Sequence, residues 1–390
     1  VQCKMEGATH ILEVAANPLD LGVRAFRIFK FVCQINKDGG EGKSVNAWHR
    51  RGLFPGCHGF LKTFPVGSLY LQIGESRRIR STRLGQNQSL VRVYDGIGEN
   101  MKFSKSLKIL VPIIFFLALA AALVGVWPGA GTPYSITNFR GEVVSINARG
   151  LYYWDTVSSA AQMQANDLVT LLLGLPLLAI SYVLTIRGSL RGRIVLTGTL
   201  GFILYTYITM CFGAAYNQFF LVYVALFSLS LFAFVLSMMS FDLQTLPQHF
   251  SDKLPRRWIA GLLFFAAAFL GLAWLGRIAA TFSQDVIPGL ENTTSMFIQA
   301  MDLGIIMPTC ILSAILLLRR SAWGYLLASV GMLKFLTLGI AVALMGLNMA
   351  RVGVPISVIE LGVFPAMALV NLVMTIILLR NIKSTATLLH

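Results

Sequence analysis

From residue 107 onward the chain returns eight times to an apolar run of the length a helix needs to cross a bilayer, roughly 20 residues. The runs are 107–127, 168–186, 194–212, 219–240, 259–281, 297–318, 324–346 and 357–379. Backbone groups in hydrocarbon find no water, so each run must close its own hydrogen bonds, and a helix does this within one segment. The expected fold class is therefore an all-α integral membrane protein, a bundle of about eight transmembrane helices. Composition agrees: 13% of residues are charged, against about 25% in a soluble domain.

Residues 1–100 differ. They carry 14 Lys+Arg and 8 Asp+Glu, with no run able to span and no sustained helical or strand period. They are expected to be a poorly structured N-terminal extension, disordered or translated from sequence upstream of the true start. Met101 is the expected initiator, because a basic stretch (Lys102, Lys105, Lys108) precedes the first apolar helix. Residues 101–390 form the polytopic domain. The segment 101–131 also has the order of a signal peptide, but its apolar core exceeds the usual 7–15 residues, so a retained helix is expected.

Basic residues set the orientation. With 102–108 inside, the loops 187–193, 241–258 and 319–323 and the tail 380–390 are also inside. Thirteen of the eighteen Lys and Arg after residue 100 then face the cytoplasm. Arg140, Arg149 and Arg351 fall outside, and the acids reverse the pattern, with only Asp242 and Asp252 inside. The expectation is a bacterial-type inner membrane protein with both termini cytoplasmic. The +15 net charge is scattered over loops rather than gathered in a stripe, so nucleic acid is not an expected partner.

The long outer loop, 128–167, starts with the turn-rich PGAGTP at 128–133. Partial alternation at 134–139 and 142–146 around Arg140 and Gly141 predicts a small extracytoplasmic hairpin or three-stranded cap. Asp155 reads as an N-cap, starting a helix at Thr156 that runs on to residue 186. The loop order that follows the first run recurs after the fifth, and 192–205 aligns on 324–337 with Thr197 against Ser329. That suggests two four-span halves sharing one orientation.

A charge at a helix centre costs roughly 2.5–3.5 kcal/mol on insertion scales and marks a candidate pathway. Lys334 lies mid-span in the seventh run, with Asn371 and Glu360 on the eighth as expected partners and Tyr205 on the third. Arg277 and Asp302 fall in the outer thirds of consecutive runs, where an ion pair is expected. Asp155, Gln162, Asn166, Asp167 and Asn217 are expected to form a polar rim at the outer mouth. The one carboxylate pair suited to an interfacial enzyme is Asp155 with Asp167.

No His lies in any apolar run, which excludes bis-His haem. Cys211 and Cys310 are isolated, no zinc spacing occurs, and no phosphate-binding G-x-x-x-x-G-K-[ST] is present. Accordingly no cofactor, metal or catalytic residue is assigned. The expected function is transporter- or permease-like handling of a small anionic or proton-coupled solute. The alternatives are a non-catalytic sensor, assembly factor or scaffold subunit, and a membrane enzyme acting on a lipid-linked substrate. Expected partners are the bilayer, and a membrane protein or a second copy.

Overall fold

The computed structural model describes residues 105–282 and 289–383, without the side chains of 359 and 360. The readings made for residues 1–104, including the start at Met101, lie outside the described residues. Eight helices are long and apolar enough to cross a membrane. They are α1 (Lys105–Gly125), α2 (Val157–Ile186), α3 (Leu190–Gly213), α4 (Phe220–Met239), α5 (Arg256–Ala279), α6 (Phe297–Leu318), α7 (Ala322–Arg351) and α8 (Val358–Arg380). Large apolar side chains face outward along them, among them Phe116, Leu172, Leu221, Leu272 and Leu369. A soluble protein does not expose apolar surface on this scale, so the fold is that of a multi-pass membrane protein.

The loop between α1 and α2 holds the one sheet among the described residues. β1 (Tyr134–Thr137) pairs antiparallel with β2 (Val143–Ile146), Tyr134 opposite Ile146. Asn138 closes the turn: its Oδ1 accepts from Arg140 N (2.9 Å) and Glu142 N (3.0 Å). Residues 151–154 form a turn rather than a third strand.

The helix after this loop is capped by Thr156, not by Asp155. Thr156 Oγ1 accepts from Ser159 N at 3.1 Å, the N-cap bond. Asp155 is occupied elsewhere, as described below. With 30 residues, α2 is about 45 Å long at 1.5 Å per residue, so its first turns extend beyond a hydrocarbon layer.

α3 is the most enclosed helix. It carries threonines inside the bundle because their hydroxyls bond its own backbone, as Thr197 does to Arg193 O (2.8 Å) and Thr199 to Val195 O (2.8 Å). Thr197 also meets Ser237 of α4 at 2.6 Å. Where α3 crosses α7, a Cβ on Gly198 would lie 2.5 Å from Leu333 Cβ. Glycine is what allows the two backbones to approach there.

The hairpins α2–α3 and α6–α7 match at a constant offset of 132 residues (Thr170 to Asp302). Each first helix contains a π-turn, Thr170–Gly174 and Asp302–Ile306. Pro176 and Pro308 follow at equal spacing, in the opening positions of Leu175–Ile186 and Met307–Leu318. Proline lacks an N–H and crowds the preceding turn; the widened turn relieves this, with Leu175 N and Met307 N reaching back five residues to Thr170 O and Asp302 O. Both hairpins close alike. Ser189 N bonds Leu184 O and Ser321 N bonds Leu316 O, each at 3.0 Å. Gly192 and Gly324 pack against the equivalent residues Leu184 and Leu316. This is the register in which 192–205 aligns on 324–337, so a repeat underlies at least these two hairpins.

Candidate functional site

α3, α5, α6 and α7 bring four polar side chains together within the bundle. Asp302 begins the π-turn of α6 and is buried. Its Oδ1 accepts from the Tyr205 hydroxyl of α3 at 2.8 Å, and its Oδ2 accepts from Trp274 Nε1 of α5 at 2.9 Å. Lys334 of α7 lies on the other side of the Tyr205 ring. Its Nζ sits 3.9 Å from the ring centroid, with the Phe335 ring at 5.3 Å. That nitrogen is buried and has no hydrogen-bond partner. The sequence of groups is ammonium, aromatic face, phenolic hydroxyl, carboxylate. A cation over an aromatic face is attracted by the ring quadrupole, while the phenol of the same ring donates to Asp302. One tyrosine thus bridges the amino group of Lys334 and the carboxyl group of Asp302.

Of the partners expected for Lys334, Tyr205 is the one in contact. Asn371 serves the backbone of α7 instead. With its amide nitrogen donating to Met332 O (3.3 Å), its oxygen accepts from Leu336 N (3.0 Å). The Glu360 side chain lies outside those described. Arg277 and Asp302 do not pair: Arg277 Nη2 donates to Gly289 O at 2.6 Å. Arg277 is in the last turn of α5, so its guanidinium turns to the loop, and Trp274, one turn deeper, reaches the carboxylate in its place.

The five residues expected to form an outer rim do not form one. Gln162 bonds its own helix at Ser158 O and Oγ (3.4 and 3.3 Å). Asn217 shapes the turn into α4, its Oδ1 accepting from Phe219 N at 2.9 Å. Asn166, Asp155 and Asp167 are buried. Asp155 and Asp167 share no hydrogen-bond partner: Asp155 lies before the first turn of α2 and Asp167 12 residues on, roughly 18 Å along the axis.

Asp155 Oδ1 accepts from Ala215 N (2.9 Å) and Ser159 Oγ (3.4 Å), which ties the first outer loop to the α3–α4 turn. Its Oδ2 is buried without a partner. Burial pushes its carboxyl up to about 7, against the pull of those two donors and with a smaller push from Glu291.

Asp167 instead accepts from the Tyr152 hydroxyl at 2.5 Å. The Tyr207 and Tyr223 rings lie nearby, tilted to each other with centroids 6.1 Å apart, and the buried Tyr223 hydroxyl makes no hydrogen bond. Burial, and then Asp167, hold the Tyr152 phenol well above its ordinary range. Gly125 makes room for this bond, since a Cβ there would fall 1.8 Å from Asp167 Oδ2.

The outer hairpin is clamped to the α5–α6 loop. Arg140 Nη2 donates to Glu291 O (2.8 Å) and Thr293 O (2.7 Å), and Asn138 Nδ2 donates to Glu291 O at 2.9 Å. Glu142 Oε2 accepts from Glu291 N at 3.2 Å, and the Thr156 hydroxyl donates to the Glu291 carboxylate. Glu291, with φ of +50°, is the residue this clamp holds.

At the opposite end, Arg193 belongs to the interior rather than to a loop. It is 2% exposed, and its Nη1 donates to Ser240 O at the end of α4 (2.9 Å), where a cation complements the helix dipole.

Sequence reasoning missed Trp274, Tyr152, Gly125 and Glu291. For Trp274 a signal was present: it lies one turn from Arg277 on the helix expected to face Asp302. No family model, curated protein or solved structure matches the chain.

Proposed function

We propose that the protein is a transporter of the inner membrane that handles a small anionic or proton-coupled solute, with Lys334, Tyr205 and Asp302 on its path. The eight helices span the bilayer, with the arginine-rich ends and both termini in the cytoplasm. The observation that carries the reading is the buried, unpartnered ammonium of Lys334 facing Asp302 through Tyr205. Ionisable groups held inside a bundle at such cost mark ion and proton pathways. Repeated hairpins sharing one orientation are also a frequent transporter architecture. Lys334 supplies a positive site for an anion, and Asp302 a carboxylate able to exchange a proton once water reaches it. The bilayer is the first partner; a second copy or another membrane protein would bind through the outward apolar faces.

The sealing of Lys334, 7% exposed, favours a second reading, a non-transporting sensor or assembly module in which the group is a structural lock. One experiment separates them without knowledge of the solute. Lys334→Cys, in an otherwise cysteine-free chain in vesicles, is treated with a small membrane-impermeant thiol reagent from each side. A transporter must hydrate this position in some state, so labelling is expected from one side or both. A cysteine that stays unlabelled overturns the transport reading and leaves the lock.

A further inference from the structure

The arginine-rich end of the bundle holds an open cleft of about 460 Å³ between the start of α5 and the end of α6, lined by Arg256, Arg257, Trp258, Leu318 and Arg320. No carboxylate lines it. Of the two acids on the preceding loop, Asp242 is engaged by Thr245 Oγ1 (2.8 Å) and Gln244 N (3.0 Å), and Asp252 is exposed outside the cleft. Arg256 Nη1 reaches the Tyr325 hydroxyl at 3.4 Å. The Arg257 and Arg320 guanidinium groups have no hydrogen-bond or ion-pair partner among the described residues. α5 begins here with no side chain capping its first N–H groups, so the positive end of its dipole adds to the same field. Trp258 is 76% exposed at the end of a spanning helix, where tryptophan sits at headgroup level.

The repeat supplies a second observation. Arg320 has a φ of +56°, and its counterpart at the offset of 132 (Thr170 to Asp302) is Gly188, with φ of +82°. The left-handed conformation suits glycine and strains any residue with a Cβ. The second hairpin thus keeps an arginine where the first makes the same turn with glycine, and that arginine lines the cleft.

We propose that this cleft binds the phosphate of an anionic membrane lipid. Arg256, Arg257 and Arg320 hold the phosphodiester oxygens in charge-assisted hydrogen bonds, Leu318 meets the first acyl carbons, and Trp258 fixes the depth. With three cations and no carboxylate, the cleft favours a net-anionic headgroup over a zwitterionic one, whose ammonium would face the arginines.

The test is native mass spectrometry of the full chain in detergent, titrated with phosphatidylglycerol, with phosphatidylcholine and with inorganic phosphate. Phosphatidylglycerol should bind the parent more tightly than phosphatidylcholine. Arg257→Gln and Arg320→Gly should each weaken phosphatidylglycerol by about fivefold, the effect of one cation at an anionic surface, and leave phosphatidylcholine unchanged. Arg320→Gly is the decisive variant, because glycine suits this backbone. Its melting temperature should not fall below the parent's, so lost lipid cannot be lost fold. Equal affinity for the two lipids, or phosphatidylglycerol binding untouched by both variants, overturns the proposal. Displacement of phosphatidylglycerol by millimolar inorganic phosphate assigns the cleft to soluble phosphate and overturns the lipid source.

Discussion

Replacing Lys334 with methionine keeps the length and apolar volume of the side chain and removes its charge. The structure allows the effect to be bounded. On the unfavourable side stands a buried ammonium with no hydrogen bond, at roughly 2.5–3.5 kcal/mol on insertion scales. On the favourable side stands the Tyr205 face at 3.9 Å, about 2 kcal/mol for a desolvated cation–π contact. The difference leaves the charge unfavourable by about 1 kcal/mol. Lys334→Met is therefore expected to hold or raise stability, by roughly 1–2 °C in melting temperature for a chain of this size. Asp302 is not stranded, because Tyr205 and Trp274 still satisfy both oxygens. Thermal unfolding of parent and variant in the same detergent measures this directly. A double-mutant cycle with Tyr205→Leu adds the contact energy itself: losing the ring should cost the parent about 1–2 kcal/mol more than the Lys334→Met background. A drop of several degrees in the single variant, or a cycle coupling near zero, refutes the picture of an ammonium held by one aromatic face.

Three further outcomes are expected. Asp155 is raised to about 7 in the fold, so the folded state holds a proton that the unfolded chain has released. This term favours folding below about pH 4 and is lost as pH rises through 7, at most about 4 kcal/mol; Asp155→Asn should flatten that slope in melts taken across the range. Gly125→Ala drives a methyl into the Asp167–Tyr152 bond and should cost roughly 1–3 kcal/mol as overpacking, read as a lower melting temperature. Arg140→Ala removes both bonds to the α5–α6 loop and should speed proteolysis there before any change in the melt of the bundle.

The number and approximate extent of the helices were legible because crossing a bilayer demands length and apolarity, and both are local properties of a sequence. The outer hairpin was legible for a similar reason, its turn being built by Asn138 from neighbours within four residues. The site was not. Hydropathy reports how a segment prefers hydrocarbon to water, not which face meets which neighbour. Asp302 takes its partners from positions 97 and 28 residues away, and Arg277 at similar depth turned out to face a loop. Depth alone therefore assigned the wrong pair. Asp155 misled in another way: it has the chemistry of an N-cap and stands beside the residue that performs that role. Arg193 was counted as loop because its charge outweighed the apolar residues that follow it, although α3 starts before it and encloses it.

The repeat sets the positions of Asp302 and Lys334 beside uncharged counterparts. Under the offset of 132 (Thr170 to Asp302), Thr170 stands where Asp302 stands, and Phe202 stands where Lys334 stands. The first hairpin thus carries a neutral hydroxyl and a ring at the two positions the second has given to a carboxylate and an ammonium. Packing differs in the same sense. α7 lies along α2, fastened by Asn348 Nδ2 to Ala161 O at 2.7 Å. The equivalent pair, α3 and α6, meets closely only over the opening turns of α6, where Phe297 fills the space against Gly213 and Tyr205 reaches Asp302. Asp302 occupies the looser of two related seams, and Lys334 approaches the same Tyr205 from α7. The π-turn at Asp302–Ile306 places that carboxylate at the point where α6 departs from regular helix.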